Sequence, residues 1–235
     1  TGQVTASLIH AIEEEGFLQN TGMLNRSNTF ALVPGCGSGH DCTYLSNLHP
    51  HSESLKLPHF SRVLGLDISV TAVDLCKKRV EELEHKDKSN QGVTCFQSAD
   101  FFTYAPLVNG MPMGFDFIFD YLFFAALEFP VPVEGADADD MRSKWGRSMK
   151  RLLRKSDGSE HGGVLATLMF PTAGSNGAKS TKDPHTGPPY HVTLDSYSDI
   201  LTPLGFKCVH SYPVPSSVSI KPRAGREVMA YWMLE

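Results

Sequence analysis

A glycine-rich turn, Gly35-Cys36-Gly37-Ser38-Gly39, stands directly behind a short apolar run at residues 29–33 and directly ahead of a helical pattern at residues 40–48. Glycines so spaced let the backbone bend tightly, bring it close to a ligand and aim peptide N–H groups from the start of the next helix. A strand running into such a turn belongs in a parallel sheet, because the helix must carry the chain back before the next strand can pair. Three later segments repeat the pattern of a strand delivering special residues to its end. Residues 62–66 close on Gly65-Leu66-Asp67, and residues 93–97 are followed by Ala99-Asp100-Phe101-Phe102. Residues 115–120 end at Asp120-Tyr121.

The rest of the chain completes this alternation. Helical spacing is found at residues 5–15, 69–85, 137–155 and 193–201. The second of these is capped by Ser69 and is expected to turn Val70, Val73, Leu75, Cys76, Val80 and Leu83 inward. Residues 137–155 start acidic and end basic, which suits the helix dipole. Residues 164–170, 206–212 and 227–233 read as strands, the last two as an antiparallel pair. The expected fold class is α/β: a doubly wound, seven-stranded, mostly parallel sheet with an antiparallel C-terminal hairpin. Residues 1–235 form one domain in this reading, with an N-terminal helix and cap at 1–28. Residues 171–189, rich in Gly, Pro, Ser and Lys, are too long for a plain connector and form a lid-like loop. Residues 49–59 read as a surface insertion with solvated His49, His51 and His59, and the acidic residues 134–140 as a helix entry.

Charge and cysteine usage exclude several functions. The net charge is −5 with no basic block, so the clustered cations that a nucleic-acid footprint needs are missing. Five cysteines without a C-x-x-C pair do not form a disulfide framework or a zinc site, and no metal is expected. The longest apolar region, residues 115–127, contains Asp116 and Asp120, which argues against a membrane span. With no signal-peptide pattern, a cytoplasmic location is expected.

The strand ends propose a ligand. Gly35, Cys36, Gly37 and Gly39 form a cradle; Asp67, with Ile68 beside it, is placed to accept both hydroxyls of a ribose. Asp100 is placed to accept an exocyclic amine of adenine, with Phe101 or Phe102 against the ring. The bland alternative is a turn aspartate with two core aromatics. Asp120 and Tyr121 fall where a sulfonium would sit, and a tyrosine face suits a cationic sulfur; Tyr121, Phe123 and Phe124 are alternatively plain core. The cofactor so described is S-adenosylmethionine, with S-adenosylhomocysteine as product. Gly187-Pro188-Pro189-Tyr190 superficially matches the N/D-P-P-Y motif of base-amine methylation. It follows the fifth strand rather than the fourth and lacks the leading amide or carboxylate, so that chemistry is not expected. Tyr190 and His191 read instead as acceptor-site residues. A nicotinamide enzyme is disfavoured, because no Y-x-x-x-K pair and no full G-x-G-x-x-G pattern occur.

At these residues the chain resembles the thiopurine methyltransferase superfamily, and most closely its plant and fungal halide/thiol methyltransferase branch. The shared stretches are V-P-G-C-G-S-G-H-D, G-L-D-I-S, A-D-F-F, F-D-F-I-F-D-Y-L-F-F-A-A-L-E, M-R-S-K-W, L-M-F-P, G-P-P-Y and I-L-T-P-L-G-F-K, in order from residue 31 to residue 207. The resemblance implies a class I methyltransferase fold and S-adenosylmethionine bound by Gly35, Asp67, Asp100, Phe101 and Tyr121. It also implies a small-molecule acceptor: halide, thiocyanate, hydrosulfide or a small thiol. The expected reaction is an in-line displacement in which the protein aligns the reactants and excludes water. A soft anion needs no general base, whereas a thiol of pKa about 8.5 needs a modest push, available from His191 or Tyr190. Transfer to an oxygen or nitrogen of a small metabolite, and a non-catalytic cofactor-binding module, stay open as alternatives. A monomer or weak homodimer is expected.

Overall fold

The computed structural model describes residues 2–22, 28–46, 60–84, 92–108, 111–112, 114–127, 140–156, 162–172 and 188–235. The insertion with His49, His51 and His59, the acidic residues 134–139 and most of the lid-like loop lie outside the described residues. The chain runs α1 (Ala6–Glu13), α2 (Phe17–Asn20), β1 (Phe30–Pro34), α3 (His40–Leu45), β2 (Arg62–Asp67), α4 (Val70–Glu84) and β3 (Val93–Ser98). A two-residue pair, β4 (Leu107–Val108) and β5 (Met111–Pro112), precedes β6 (Phe117–Tyr121), α5 (Phe123–Ala126), α6 (Met141–Leu152) and β7 (Val164–Met169). Helix α7 (Leu194–Leu201) then leads to β8 (Phe206–Pro213) and β9 (Val228–Leu234).

Seven strands form one sheet in the order β3-β2-β1-β6-β7-β9-β8. The pairs β1–β2, β2–β3, β1–β6 and β6–β7 are parallel, and β9 runs antiparallel between β7 and β8. The chain starts at the centre, winds outward through β2 and β3, then crosses back to β6. The carboxyl ends of β1 and β6 therefore lie side by side at the point where winding reverses, the place where open α/β sheets bind ligands.

Strand alternation decides which side chain meets which layer. Phe117 and Phe119 of β6 face the layer with Leu8, Leu18, Val73 and Phe96. Ile118 and Asp120 face the opposite one, where α6 and α7 bring Trp145, Met149, Tyr197 and Leu201. All six residues of β7 are buried, as expected of a strand covered on both faces. Helix α4 departs from expectation on its outer side: Val73, Cys76 and Val80 are buried, but Val70 and Leu75 are 62% and 61% exposed. Consecutive helical residues turn by about 100°, so Leu75 cannot share the stripe that Cys76 occupies. Helices α2 and α5 and the short β4–β5 pair carry too few residues to show a period and had no sequence signal.

Candidate active site

The glycine turn is held from below and open above. The Cys36 amide donates to the Leu66 carbonyl at 3.0 Å and the Gly39 amide to the Cys36 carbonyl at 2.9 Å, tying the turn to β2. Gly35, Gly37 and Gly39 adopt φ of +62°, +52° and +71°, a region that disfavours side chains. A Cβ on Gly39 would lie 2.7 Å from the Cys76 sulfur and the Phe96 ring, whereas one on Gly37 would meet nothing within 4 Å. Gly37 thus faces open space, as a cradle for a ligand requires. Cys36 sits under the turn: hydrogen bonding to Cys42 and burial push its thiol well up, so it stays protonated and serves as packing.

Asp67 ends β2 next to this cradle. Its Oδ2 accepts the Gly37 amide and its Oδ1 the Ser69 amide, both at 2.9 Å, while Ser69 caps α4 through the Ala72 amide at 3.2 Å. The carboxylate is fixed by backbone donors and keeps further acceptor capacity on both oxygens. Beside it Ile68 is 77% exposed, an apolar side chain that a purine face would cover. Asp100 is exposed at the end of β3, its Oδ1 accepting the Phe102 amide at 2.9 Å. Phe101 differs from expectation: it is buried and meets Phe123 edge-to-face with centroids 5.1 Å apart, so it is the wall behind the site. Phe102 is half-buried, its ring 5.5 Å from that of Phe101 and 6.2 Å from that of Phe123. The open Gly37, a fixed carboxylate and an exposed aliphatic side chain in this order fit an adenosyl group.

Asp120 also departs from expectation. It is fully buried, and its oxygens accept Trp145 Nε1 at 2.7 Å and the Phe123 amide at 3.1 Å, with the Phe124 amide at 3.4 Å. Leu122 makes this possible: its φ of +64° folds the chain so that α5 begins with its amides aimed back at Asp120. Burial pushes the Asp120 carboxyl up to about 6, against the pull of these donors. It is a structural tie rather than a ligand contact. Its neighbour Tyr121 points to the other face and is half-buried. Arg223 donates to the Tyr121 hydroxyl and lies over its ring at 5.3 Å and over Phe170 at 4.9 Å. Burial raises the Tyr121 phenol, partly offset by this guanidinium.

Tyr190 and His191 arrive at the same edge. The Tyr190 amide donates to the Ala125 carbonyl at 2.7 Å and the Val192 amide to the Pro171 carbonyl at 3.1 Å, so residues 190–192 bridge the ends of α5 and β7. His191 is half-buried there. Arg142 of α6 stands close enough to Tyr190 to feel its phenol. Its guanidinium lies 4.5 Å over the Phe124 ring, its Nε donates to the Leu127 carbonyl at 3.2 Å, and burial pushes it down to about 10. Neither Arg142 nor Arg223 was singled out from sequence. Arg142 falls within the shared M-R-S-K-W stretch, while Arg223 carries no local signal. Among the described residues no group of His, Cys, Asp and Glu is placed to hold a metal ion, and no helix is long and apolar enough to cross a membrane.

Comparison with known proteins agrees with this geometry. The family model for thiopurine S-methyltransferase matches residues 17–224. A probable thiol methyltransferase 2 of Arabidopsis thaliana is 34% identical over 98% of this chain and 77% of its own length. A thiocyanate methyltransferase 1 of Brassica oleracea is 33% identical over the same shares. Among solved structures, the magnesium protoporphyrin IX methyltransferase of Synechocystis PCC 6803 with bound S-adenosylhomocysteine superposes with a TM-score of 0.57. It is 15% identical, with 98% of this chain and 82% of that one covered. A SAM-dependent methyltransferase of Aquifex aeolicus gives a TM-score of 0.54 at 17% identity, covering 97% and 93%. At such identities the two structures speak for the class I methyltransferase fold alone. The sequence matches speak for more: the chain belongs to the thiopurine S-methyltransferase family and is a methyltransferase that uses S-adenosylmethionine.

Proposed function

We propose that this methyltransferase acts on a small soft nucleophile, a thiol, hydrosulfide, thiocyanate or halide, by in-line displacement. The observation that carries the reading is Arg223, held on the Tyr121 hydroxyl at the end of β6, where the acceptor must enter. A guanidinium there draws in an anion, and a second one, Arg142, is buried over Phe124 behind Tyr190. Asp120, which could otherwise act as a base, is sealed by Trp145 and the start of α5. A hydroxyl acceptor needs a strong base to take its proton, whereas a soft anion needs none and a thiol only a modest push. The names of the plant relatives, thiol and thiocyanate methyltransferases, support the same acceptor class.

When bound, S-adenosylmethionine supplies an electrophilic methyl carbon. In this reading Gly35, Cys36, Gly37 and Gly39 hold it by backbone, Asp67 takes its ribose, and Ile68, Asp100 and Phe102 enclose the base. Tyr121 presents its ring to the sulfur. Tyr190 and His191 orient the acceptor, and the His191 imidazole takes the proton of a neutral thiol. A methyl-labelled donor screen with iodide, thiocyanate, hydrosulfide and small aromatic thiols, against catechols and amines, tests the reading. Label is expected in methyl iodide, methyl thiocyanate and thioethers; label only in oxygen or nitrogen acceptors, or in none, overturns it. Tyr190→Phe and His191→Ala are expected to slow thiol turnover more than iodide turnover, with cofactor affinity retained. Equal kinetics in both variants would remove the two residues from the mechanism.

A further inference from the structure

Glu227 lies at the foot of β9, only 3% exposed, and the reaction read above gives it no role. Its Oε2 accepts the Ser219 hydroxyl at 2.6 Å and the Ser7 hydroxyl at 3.0 Å, and its Oε1 faces Arg223 Nη1 at 3.5 Å. The same Nη1 donates to the Tyr121 hydroxyl. Ser7 belongs to α1, whose preceding residue Thr5 is pinned to Asp41 of α3 through its amide at 2.8 Å and its hydroxyl at 3.0 Å. Asp41 stands two residues beyond Gly39 of the cofactor cradle. The N-terminal helix thus touches the donor side through Thr5 and the acceptor side through Ser7.

Burying a carboxylate costs stability unless every acceptor is matched. Glu227 is matched by two hydroxyls and one cation, and the Ser7 hydroxyl comes from 220 residues away. If α1 moves off, the buried carboxylate loses a donor and its hold on Arg223 changes. We propose that Glu227 is a positioning residue which couples docking of α1 to the acceptor site. Its carboxylate fixes the Arg223 guanidinium on Tyr121 only while Ser7 is in place. Arg223 is thereby presented to an anionic acceptor when the N-terminal helix covers the sheet, and is released when it does not. This rests on the acceptor reading given above, and the two can fail separately.

The experiment uses the full chain with Ser7→Ala and Glu227→Gln. Three quantities are measured: S-adenosylhomocysteine affinity by calorimetry, KM and kcat for iodide and thiocyanate, and hydrogen exchange of residues 6–13 and 219–226. Ser7→Ala is expected to leave S-adenosylhomocysteine affinity unchanged and to raise KM for both anions roughly tenfold, the scale of one hydrogen bond to a charged group. Exchange should rise in both segments together. A Ser7→Ala protein with wild-type KM values, or with faster exchange in residues 6–13 alone, overturns the coupling. Ser7→Ala removes one buried hydroxyl and leaves the Glu227 carboxylate with its Ser219 and Arg223 partners, so it remains informative if Glu227→Gln fails to fold. Should the wild type methylate no soft acceptor, the acceptor reading falls, and the paired exchange readout alone decides whether α1 and the Arg223 loop are coupled.

Discussion

Neighbouring glycines of the cradle do different work, and substitution separates them. Gly39→Ala would press a methyl group into the Cys76 sulfur and the Phe96 ring at an unfavourable positive φ. A loss of about 3 kcal/mol in urea denaturation is expected from crowding and backbone strain combined. Gly37→Ala meets open space, so only the backbone strain of about 1 kcal/mol applies; its cost should appear instead as weakened cofactor binding in calorimetry. If both variants lose stability equally, the turn is a packed connection and not a cradle. Asp67→Ala removes the acceptor of the Gly37 and Ser69 amides together with the proposed ribose contact. Cofactor dissociation is expected to rise roughly ten- to hundredfold, the range for hydrogen bonds to a charged group. Asp67 and the glycines behind these predictions were legible in the sequence, because each is set by position at a strand end.

At the scale of elements, Asp120 joins β6, α5 and α6 at one point. Its folded-state carboxyl is raised from the ordinary 3.8 to about 6 by burial. Below the lower value the group is protonated whether the chain is folded or not, and its contribution is fully present. As pH rises through about 6 the folded protein must hold a charge that the unfolded chain leaves in water, so stability falls, by about 3 kcal/mol from linkage. Asp120→Asn abolishes this titration, and denaturation at pH 4 through 7 should show a flatter profile than wild type. Matching slopes in the two proteins would place the titration elsewhere. The sequence pattern located the end of β6 correctly but read Asp120 as facing the cofactor. Alternation decides otherwise: Tyr121 takes the face shared with Phe119 and Arg223, and Asp120 turns to Trp145, a partner 25 residues away.

Across the whole molecule, the N-terminal helix is fastened by contacts that no local pattern encodes. Asp41 is half-buried, its carboxyl raised by that burial and held down by the Thr5 amide and hydroxyl. Thr5→Val leaves this carboxylate short of a donor. A cost of about 2 kcal/mol is expected in thermal or urea unfolding, and an unchanged midpoint would show that the pin carries no weight. Saturation with S-adenosylhomocysteine at about a hundred times its dissociation constant should add about 2.7 kcal/mol to global stability.

The amino-acid sequence alone determined the strand and helix alternation, the class of fold, the glycine turn and the carboxylates that follow β2 and β3. These follow from short-range physics: side-chain period, capping and the freedom of glycine act within a few residues. Only the tertiary structure decided that Phe101 and Asp120 turn inward, that Leu75 faces solvent, and that Arg223, Glu227 and Ser7 meet. The reason is that a buried charge is tolerable only beside its partners, and those partners come from chain segments tens to hundreds of residues apart, brought together by packing of the sheet and its two helical layers.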